Sequence, residues 1–260
     1  MKDHLSFSTI KQYAQCEAMA LAIERGEWSN EQTEALLTSA YIDAYFTGNI
    51  EEFIEQHPEV LNSRTKELKA EFKKNVLPAI QKIETTPMFL SFLTGNKQVD
   101  LEGVIEGVKI LGRADYIDDE KERIVDLKAL KGFKRVWDVK KRKYISFIED
   151  SKYHWQLALY AELYYQMTGM EYTTMLACVT KEENPDLGIF ETTSEDNEKS
   201  LNELKHLITN IQEVRTGLRQ PHRCENCKYC KQTKQHIPVV WFGFAGMSEE
   251  EIQAIKGDEL

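Results

Sequence analysis

The sequence lacks an apolar run of membrane-spanning length. It also lacks the pattern of a signal peptide, because the opening segment 1–4 leads directly into a polar helix start. We therefore expect no membrane association and a reducing, cytoplasmic location. In such a compartment the five cysteines are thiols or metal ligands rather than disulfides. The chain also has no internal repeat, which favours one globular unit built on a mixed α/β core.

The chain has no excess of positive charge, because its formal net charge is −10. That balance counts against a protein that holds nucleic acid by general attraction. The segment 128–143 is the exception, since it has eight basic residues and one acid, Asp138. Its local charge is +7, which leaves −17 for the other residues. Phe133, Trp137 and Tyr144 alternate with these charges, a pattern that suits contact with a nucleic-acid backbone and its bases. The alternative is a solvated, lysine-rich loop.

Two extended segments, 112–117 and 124–128, predict a β-hairpin joined by a charged turn. Side chains two apart on a strand share a face, so Asp126 and Lys128 project together while Leu127 enters the core. If Asp115 on the partner strand faces the same way, two carboxylates meet beside a lysine. Such oxygen ligands suit Mg²⁺ or Mn²⁺. The alternative is a solvent-facing ion pair of little energetic consequence.

The other segments predict helices before this hairpin and a helix–strand–strand–helix order after it. Helices are expected from Ser6 through Cys16, from Asn30 to Thr47, from Ser63 past Pro78, over 88–93, over 152–167 and from Thr193 to Gly217. Residues 50–62 are expected to be a connector. Strands are expected over 99–110, with a turn or bulge at Gly103 or Gly107, and over 173–180 and 188–192.

Asp43 interrupts the apolar stripe of the predicted helix 30–47. It is either a carboxylate that faces a cleft or a helix-end acid held by a neighbour.

Cys224, Cys227 and Cys230 follow C-x2-C-x2-C spacing, so their thiolates can reach one metal or cluster. A fourth ligand is needed, and the candidates are Cys16, His222 and Cys178. The alternative is a loop of reduced thiols that binds no metal.

Five separated motifs together resemble one superfamily. They are the opening helix with Ser6, Ser8, Tyr13 and Cys16, the helical segment 39–43, the G-x-x-D strand 112–115, the D-x-K strand 126–128, and the Q-x3-Y pair Gln156 and Tyr160. This set is similar to the PD-(D/E)xK nuclease superfamily, specifically its RecB-like branch and the phage RecE-type, exonuclease VIII-like proteins. The similarity covers most of residues 5–230.

The resemblance implies a mixed central β-sheet flanked by helices, the core of restriction endonucleases. The nuclease domain would span 1–235, with a helical part at 1–97, and the tail 236–260 would pack on the core or on a neighbouring subunit. The implied activity is a Mg²⁺- or Mn²⁺-dependent exonuclease that digests one strand of linear double-stranded DNA from its end. The resemblance also implies a homo-oligomer, a single-strand-annealing partner of the RecT type, and a phage or prophage protein acting in a bacterial cytoplasm.

The resemblance also assigns roles to residues. The catalytic residues would be Asp115, Asp126, Lys128, Gln156 and Tyr160. The metal ligands would be Asp43, Asp115, Asp126 and the Leu127 carbonyl. The DNA-binding residues would be Lys131, Lys134, Arg135, Lys140, Lys141, Arg142 and Lys143.

Two positions depart from the family pattern. The first metal ligand is usually His or Glu, whereas this chain has Asp43, with Glu106 as a substitute. Iron–sulfur members carry C-x2-C-x5-C late in the chain, whereas Cys230 comes three residues early. Cys16, Cys224, Cys227 and Cys230 would then hold a [4Fe–4S] cluster or zinc. The alternatives to an exonuclease are a non-catalytic DNA-binding or recombination module on the same fold and an iron–sulfur nuclease of the CRISPR-adaptation type.

Overall fold

The computed structural model describes residues 3–138 and 141–235, together with the isolated positions 243, 246, 247 and 252. The predicted packing of the tail 236–260 and the position of Lys140 lie outside the described residues. No helix in the described ranges is both long and apolar enough to cross a membrane.

A six-stranded mixed sheet lies between two groups of helices. The helices are α1 (Phe7–Gln15), α2 (Glu17–Glu24), α3 (Glu34–Thr47), α4 (Ile50–Gln56), α5 (Ala70–Glu84), α6 (Pro87–Leu90), α7 (Phe147–Asp150), α8 (Tyr153–Thr168), α9 (Ser194–Thr216) and α10 (Lys228–Gln232). The strands are β1 (His4–Ser6), β2 (Asn96–Ile105), β3 (Val108–Asp118), β4 (Arg123–Leu130), β5 (Val136–Asp138), β6 (Lys143–Ile145), β7 (Thr173–Thr180) and β8 (Leu187–Glu191). The predicted fold class, a mixed central sheet flanked by helices, is confirmed.

The sheet order is β1-β3-β4-β7-β8, with β2 on the other edge of β3, and β5 pairs only with β6. β3 runs antiparallel to β2 and β4 but parallel to β1, and β4 runs parallel to β7. Side chains from α1, α8 and α9 pack in one hydrophobic cluster with β3, and side chains from α3 to α6 pack in a second cluster with β4 and β7. Both clusters hold large buried aliphatic side chains, so the sheet is covered on both faces.

The predicted strands 173–180 and 188–192 are confirmed, and so is the helix that ends at Gly217. Thr193 and Asp196 begin α9 with a reciprocal capping box, and Gly217 ends it at φ +80°. The predicted helix 152–167 is also present, although its N-cap is Lys152 at φ +63° rather than Ser151.

Several predicted boundaries in the first half of the chain are wrong. Cys16 does not continue the first helix, because its extended backbone separates α1 from α2. The helix expected from Asn30 begins at Glu34, where the Thr33 hydroxyl accepts the Leu36 N–H. The stretch 50–62, expected to be a connector, contains α4 and a short 3₁₀ turn.

Two further predictions need correction. The helix expected from Ser63 begins only at Ala70, and Pro78 lies inside it without splitting it. The strand expected over 99–110 is two strands, because β2 and β3 meet in a tight turn at Glu106 and Gly107, both at positive φ. A turn there requires left-handed backbone, which glycine adopts readily.

Candidate active site

A gap in the pairing of β3 opens the site. β2 pairs with β3 along nearly its whole length, so β1 and β4 share the other edge of β3. β1 pairs with Lys109–Leu111 and β4 pairs with Tyr116–Asp118. Residues 112–115 therefore have no partner on that edge among the described strands. Asp115 lies in this gap, where its Oδ2 accepts the backbone N–H of Leu127 at 2.9 Å.

β4 supplies the acid and the base that the strand periodicity predicts. Leu127 is buried in the cluster beneath the sheet, while Asp126 and Lys128 share the opposite face. Lys128 Nζ lies 2.5 Å from Asp126 Oδ2, and the Asp126 side chain is only 1% exposed against 24% for Lys128. The base thus reaches solvent while its acid is enclosed, which differs from an ordinary surface ion pair.

α8 contributes Gln156 and Tyr160 to the same space, because residues four apart lie on one helix face. Gln156 Nε2 donates to Asp126 Oδ1 at 3.0 Å and to the Tyr160 hydroxyl at 2.8 Å. Gly112 makes room for this helix, since a Cβ at that position would lie 3.0 Å from Tyr160 Cε1. The glycine of the G-x-x-D strand therefore lets the Tyr160 ring approach β3.

Asp43 reaches the site from α3. Ser39, one turn earlier, donates to the Ala129 carbonyl of β4 at 3.0 Å and so fixes α3 against the strand that holds Asp126. Asp43 Oδ1 is buried and has no hydrogen-bond partner among the described residues. Lys128 and Asp126 both act electrostatically on this carboxyl. An unsatisfied carboxylate oxygen beside two other acids is a feature that a bound cation would explain.

The three carboxyl groups are held in an environment that disfavours their charge. Burial raises the pKa of Asp43 to about 6, and the Asp126 charge adds to the effect. Burial, Asp126 and Asp43 raise the pKa of Asp115 well above its ordinary value. Burial also raises the pKa of Asp126, which Lys128 offsets only in part. Burial opposes the charge of Lys128, but Asp126 and Asp115 outweigh it and raise the lysine pKa.

This imbalance tests whether the residues fit a divalent cation. Burial raises the pKa of all three acids despite nearby Lys128, and Asp43 Oδ1 has no hydrogen-bond partner among the described residues. Mg²⁺ and Mn²⁺ prefer oxygen ligands and would supply the missing positive charge. The site therefore fits such an ion, with Asp43, Asp115, Asp126 and the Leu127 carbonyl as the available donors.

Sequence reasoning missed two residues of the site. Gln98 lies opposite Asp115 in the register of β2 and β3, has φ +51°, and donates from Nε2 to Asp115 Oδ1 at 3.1 Å. Lys11 of α1 lies over the Tyr153 ring at 5.4 Å, and burial together with nearby Lys128 lowers its pKa. A glutamine in an alternating strand carries no distinctive signal. Nor does Lys11, because its place depends on how α1 packs.

Glu106 is not a substitute metal ligand. It lies in the exposed turn between β2 and β3, at the end of that hairpin away from Asp115. The carboxylate of Asp43, and not that of Glu106, joins the cluster.

The basic segment forms a second, smaller hairpin made of β5 and β6. Both its ends connect to the site, because β4 precedes it and α8 follows after α7. Trp137 and Tyr144 pair across it, half exposed at 50% and 56%. Arg135 donates to the Tyr144 carbonyl and Lys141 pairs with Glu149 at 2.5 Å. The other predicted DNA-binding residues in the described range, Lys131, Lys134, Arg142 and Lys143, are exposed.

The four predicted cysteine ligands lie together, away from the carboxylates. Cys16 comes from the junction of α1 and α2, and the other three come from the segment around α10. Their sulfur atoms all lie within 4.8 Å of one another. Cys178 instead lies on β7, opposite Lys128 in the strand register. Of the three fourth-ligand candidates, the structure brings Cys16 to the group.

Comparison with known proteins agrees with this geometry. A crystal structure from Eubacterium rectale, described as a "putative exonuclease", has a TM-score of 0.85 and 29% sequence identity over 95% of this chain and 94% of its own. A structure described only as SSO0001 has a TM-score of 0.34 and 15% identity over 86% of this chain and 91% of its own, and carries no argument. No curated protein matches the chain.

The predicted resemblance to PD-(D/E)xK nucleases is confirmed at the level of the family. Residues 6–233 match the sequence profile of a family described as "PDDEXK-like domain of unknown function". That match includes every described acid, lysine and cysteine of the two clusters. The chain therefore belongs to this PDDEXK-like family.

Proposed function

We propose that this protein is a metal-dependent deoxyribonuclease that hydrolyses phosphodiester bonds from the ends of linear double-stranded DNA. The observation that carries the proposal is the burial of Asp43, Asp115 and Asp126 within electrostatic reach of one another and of Lys128, which pairs with Asp126 at 2.5 Å. The similarity to the Eubacterium rectale protein described as a "putative exonuclease" supports the same reaction class.

Asp43, Asp115, Asp126 and the Leu127 carbonyl would hold one or two Mg²⁺ or Mn²⁺ ions. Such an ion, when bound, lowers the pKa of a water ligand and neutralises charge on the phosphate. Asp115 is fixed for this role by two donors, Gln98 Nε2 and the Leu127 N–H. Both donors belong to strands of the sheet, so they fix the orientation of the Asp115 carboxylate before any ligand binds.

Lys128 is the residue that acts on the reacting phosphate. Its ammonium group is partly exposed and stays charged because Asp126 raises its pKa. It can donate to the attacking water or to a non-bridging phosphate oxygen, where negative charge grows as the new P–O bond forms and the ester bond breaks. Gln156 orients Asp126, and Tyr160 in turn accepts from Gln156. Gln156 and Tyr160 would also position the strand end at the site.

The β5–β6 hairpin would hold the DNA that leads into the site. Its exposed Lys131, Lys134, Arg142 and Lys143 suit phosphate contact, and its two exposed rings suit contact with bases or sugars. Replacing Trp137 and Tyr144 together by alanine should weaken DNA binding about tenfold, with little change in kcat, because stacking contributes to affinity and not to the chemical step. Fluorescence anisotropy and single-turnover rates would separate the two effects.

Tyr165→Ala is the matched control for that experiment. Tyr165 is likewise about half exposed but lies on α8 among residues that face α9. Loss of affinity in the control and the double variant alike would argue against a DNA path along the hairpin.

The family resemblance supports finer proposals. They are digestion of one strand from a duplex end, a homo-oligomeric assembly, a single-strand-annealing partner of the RecT type, and a role in phage-type recombination in a bacterial cytoplasm. A non-catalytic DNA-binding module is the competing function. The retention of both acids, the lysine and the glutamine in one contact network favours catalysis over it.

One assay tests the proposed activity. End-labelled linear duplex and a closed circle of the same sequence are incubated with Mg²⁺, with Mn²⁺ or with EDTA. We expect products from the linear DNA alone, and only with a divalent cation. Asp126→Ala should abolish them with an unchanged circular-dichroism spectrum, because it removes a ligand and the partner of Lys128.

Asp100→Ala is the control, since Asp100 pairs only with exposed Arg113 on the outer part of the sheet. It should retain wild-type activity. DNA binding that is insensitive to EDTA and yields no product under any metal would instead establish the non-catalytic module. Wild-type rates in Asp126→Ala would end the assignment.

A further inference from the structure

The four-cysteine group joins the two ends of the described chain. Cys16 and Cys230 are buried, and Cys224 and Cys227 are half-buried. Around them Glu17 pairs with Arg219 at 2.7 Å and accepts the His222 N–H, and the Ala18 N–H donates to the His222 carbonyl. These contacts hold the segment 219–222 against the start of α2, next to the sulfur atoms.

The distances between the sulfur atoms indicate how many metal ions the group can hold. Cys16 Sγ lies 3.5 Å from Cys230 Sγ, and Cys224 Sγ lies 4.0 Å from Cys230 Sγ. No pair of the four is farther apart than 4.8 Å. Four thiolates bound at about 2.3 Å to one Zn²⁺ lie about 3.8 Å apart at the corners of a tetrahedron. The spacing therefore matches a single ion.

A [4Fe–4S] cluster requires a different spacing. Each of its four thiolates binds a different iron on the outside of a cage of iron and sulfide. Such thiolates must stand much farther apart than those around one ion.

The backbone around the group is already arranged as in sites for thiolate-bound ions. The Cys227 N–H donates to Cys224 Sγ and the Cys230 N–H donates to Cys227 Sγ, both at 3.3 Å. Such N–H···S bonds orient the sulfur lone pairs and stabilise the thiolate form. Arg223 holds the loop from outside by donating to the Cys230 carbonyl at 2.9 Å.

We propose that Cys16, Cys224, Cys227 and Cys230 bind one Zn²⁺ in a tetrahedral, structural site. Four thiolates around one centre is a closed coordination shell, which leaves no position for a substrate or water. Between the divalent first-row metal ions Fe²⁺ and Zn²⁺, a tetrahedral site of four thiolates binds Zn²⁺ more tightly. The ion fixes the α1–α2 junction to the C-terminal segment. This proposal goes beyond the nuclease and does not depend on it.

Metal content is the direct test. The full chain is produced in cells supplied with both iron and zinc, purified without exposure to air, and analysed by native mass spectrometry and elemental analysis. We expect one zinc per chain, no acid-labile sulfide and no brown colour. Replacement by Co²⁺ should give the intense visible bands of a tetrahedral thiolate complex. Iron with sulfide, iron alone, or a metal-free chain would each overturn the proposal.

Two variants complete the test. Cys230→Ser should lose the zinc and the Co²⁺ bands, whereas Cys178→Ser should keep both, because Cys178 is the one cysteine outside the group. Removing zinc from the wild type should lower Tm by about 5 °C or more, since binding free energy adds to folding free energy. Should Cys230→Ser fail to fold, the Co²⁺ spectrum of the wild type still decides the coordination. Zinc retained in Cys230→Ser would contradict the assigned ligand.

Discussion

The β3–β4 hairpin has an aspartate paired with a lysine at its turn and another such pair at its far end. The aspartate pKa is lowered at the turn and raised at the far end. At the turn, Asp118 pairs with Lys121 at 3.0 Å and with Arg123 at 3.4 Å, and its carboxylate accepts the Thr94 hydroxyl at 2.6 Å. These interactions lower the pKa of Asp118 to about 2, and the hydrogen bond from Thr94 has the largest effect. Asp118, Lys121 and Arg123 each have an opposite charge within ion-pair distance.

At the other end, the same residue types are left unbalanced. Asp126 and Lys128 are as close as an ion pair can be, yet burial raises the pKa of Asp126 rather than lowering it. Asp115 and Asp43 bring two further acids, and Asp126 and Asp43 both raise the pKa of Asp115. The comparison shows that an Asp–Lys pair by itself says little about function. Excess like charge held in a buried place is what distinguishes a site built to receive a ligand.

The largest expected effect is a difference in the rate of DNA hydrolysis between variants of Lys128 and Lys121, the lysines at the two ends of this hairpin. Lys128→Ala should reduce DNA hydrolysis by at least about 10²-fold, because it removes the group that meets charge on the phosphate. Lys121→Ala removes the ion pair with Asp118 at the turn, which has a distance of 3.0 Å, and should leave the rate unchanged. Initial rates on end-labelled duplex at saturating Mg²⁺ would measure both.

Unfolding curves for the two variants serve as the control for that pair. Each should unfold cooperatively, with Tm close to that of the wild type. Equal loss of activity in Lys121→Ala and Lys128→Ala would remove the distinction between the two ends of the hairpin.

A smaller effect is expected on the pH dependence of folding stability, to which Asp43 and Asp118 contribute with opposite sign. The raised pKa of Asp43 means that its charge destabilises the folded state above about pH 6, and that this cost shrinks as the pH falls from 6 and is lost below the unfolded pKa near 4. The lowered pKa of Asp118 means that its charge stabilises the folded state above the unfolded pKa near 4, and that this contribution is lost as the pH falls toward 2. Without Mg²⁺ or Mn²⁺, Asp43→Asn should therefore raise Tm at pH 7.5 by more than it does at pH 4.5.

Asp118→Asn is the opposite control and should lower Tm at pH 7.5. Scanning calorimetry at the two pH values gives all four differences. Adding Mn²⁺ at pH 7.5 should stabilise the wild type more than Asp43→Asn, because the variant lacks a ligand. A lower Tm for metal-free Asp43→Asn at pH 7.5 would contradict the view that this carboxylate is poorly satisfied.

The smallest expected effect concerns the packing of Gly112 of β3 against the Tyr160 ring of α8. Gly112→Ala would place a methyl group against the Tyr160 ring and shift α8, so we expect a several-fold lower kcat with little loss of stability. Gly132→Ala, where a Cβ would meet no neighbour within 4 Å, should be neutral. Steady-state kinetics would reveal the difference. A neutral Gly112→Ala would mean that Tyr160 has room to adjust.

The sequence predicted the parts of the site that depend on local periodicity. Alternation along β4 placed Asp126 and Lys128 on one face, and helical spacing placed Gln156 beside Tyr160. In both cases the pattern extends over a few residues and needs no knowledge of distant packing. For Asp43 the interrupted apolar stripe predicted either a cleft-facing carboxylate or a helix-end acid held by a neighbour, and only the family resemblance placed it with the other acids.

The remaining features depend on contacts between distant segments. The gap beside Asp115 exists because β1, from the start of the chain, pairs with only three residues of β3. Gln98 reaches Asp115 through strand register and an unusual backbone angle. Helix starts were placed too early, because Asn30 and Ser63 are good caps that tertiary structure does not use. Local sequence propensity identifies possible helix starts, and tertiary packing determines which of them are used.

One consequence follows from the position of α1. This helix of nine residues, about 13 Å long, places Lys11 over the Tyr153 ring near Lys128 and ends next to Cys16. Motion of either end is transmitted to the other, since an α-helix of two and a half turns bends little. Displacement of the four-cysteine group would therefore be transmitted to Lys11 and, through it, to the surroundings of Lys128 in the candidate active site.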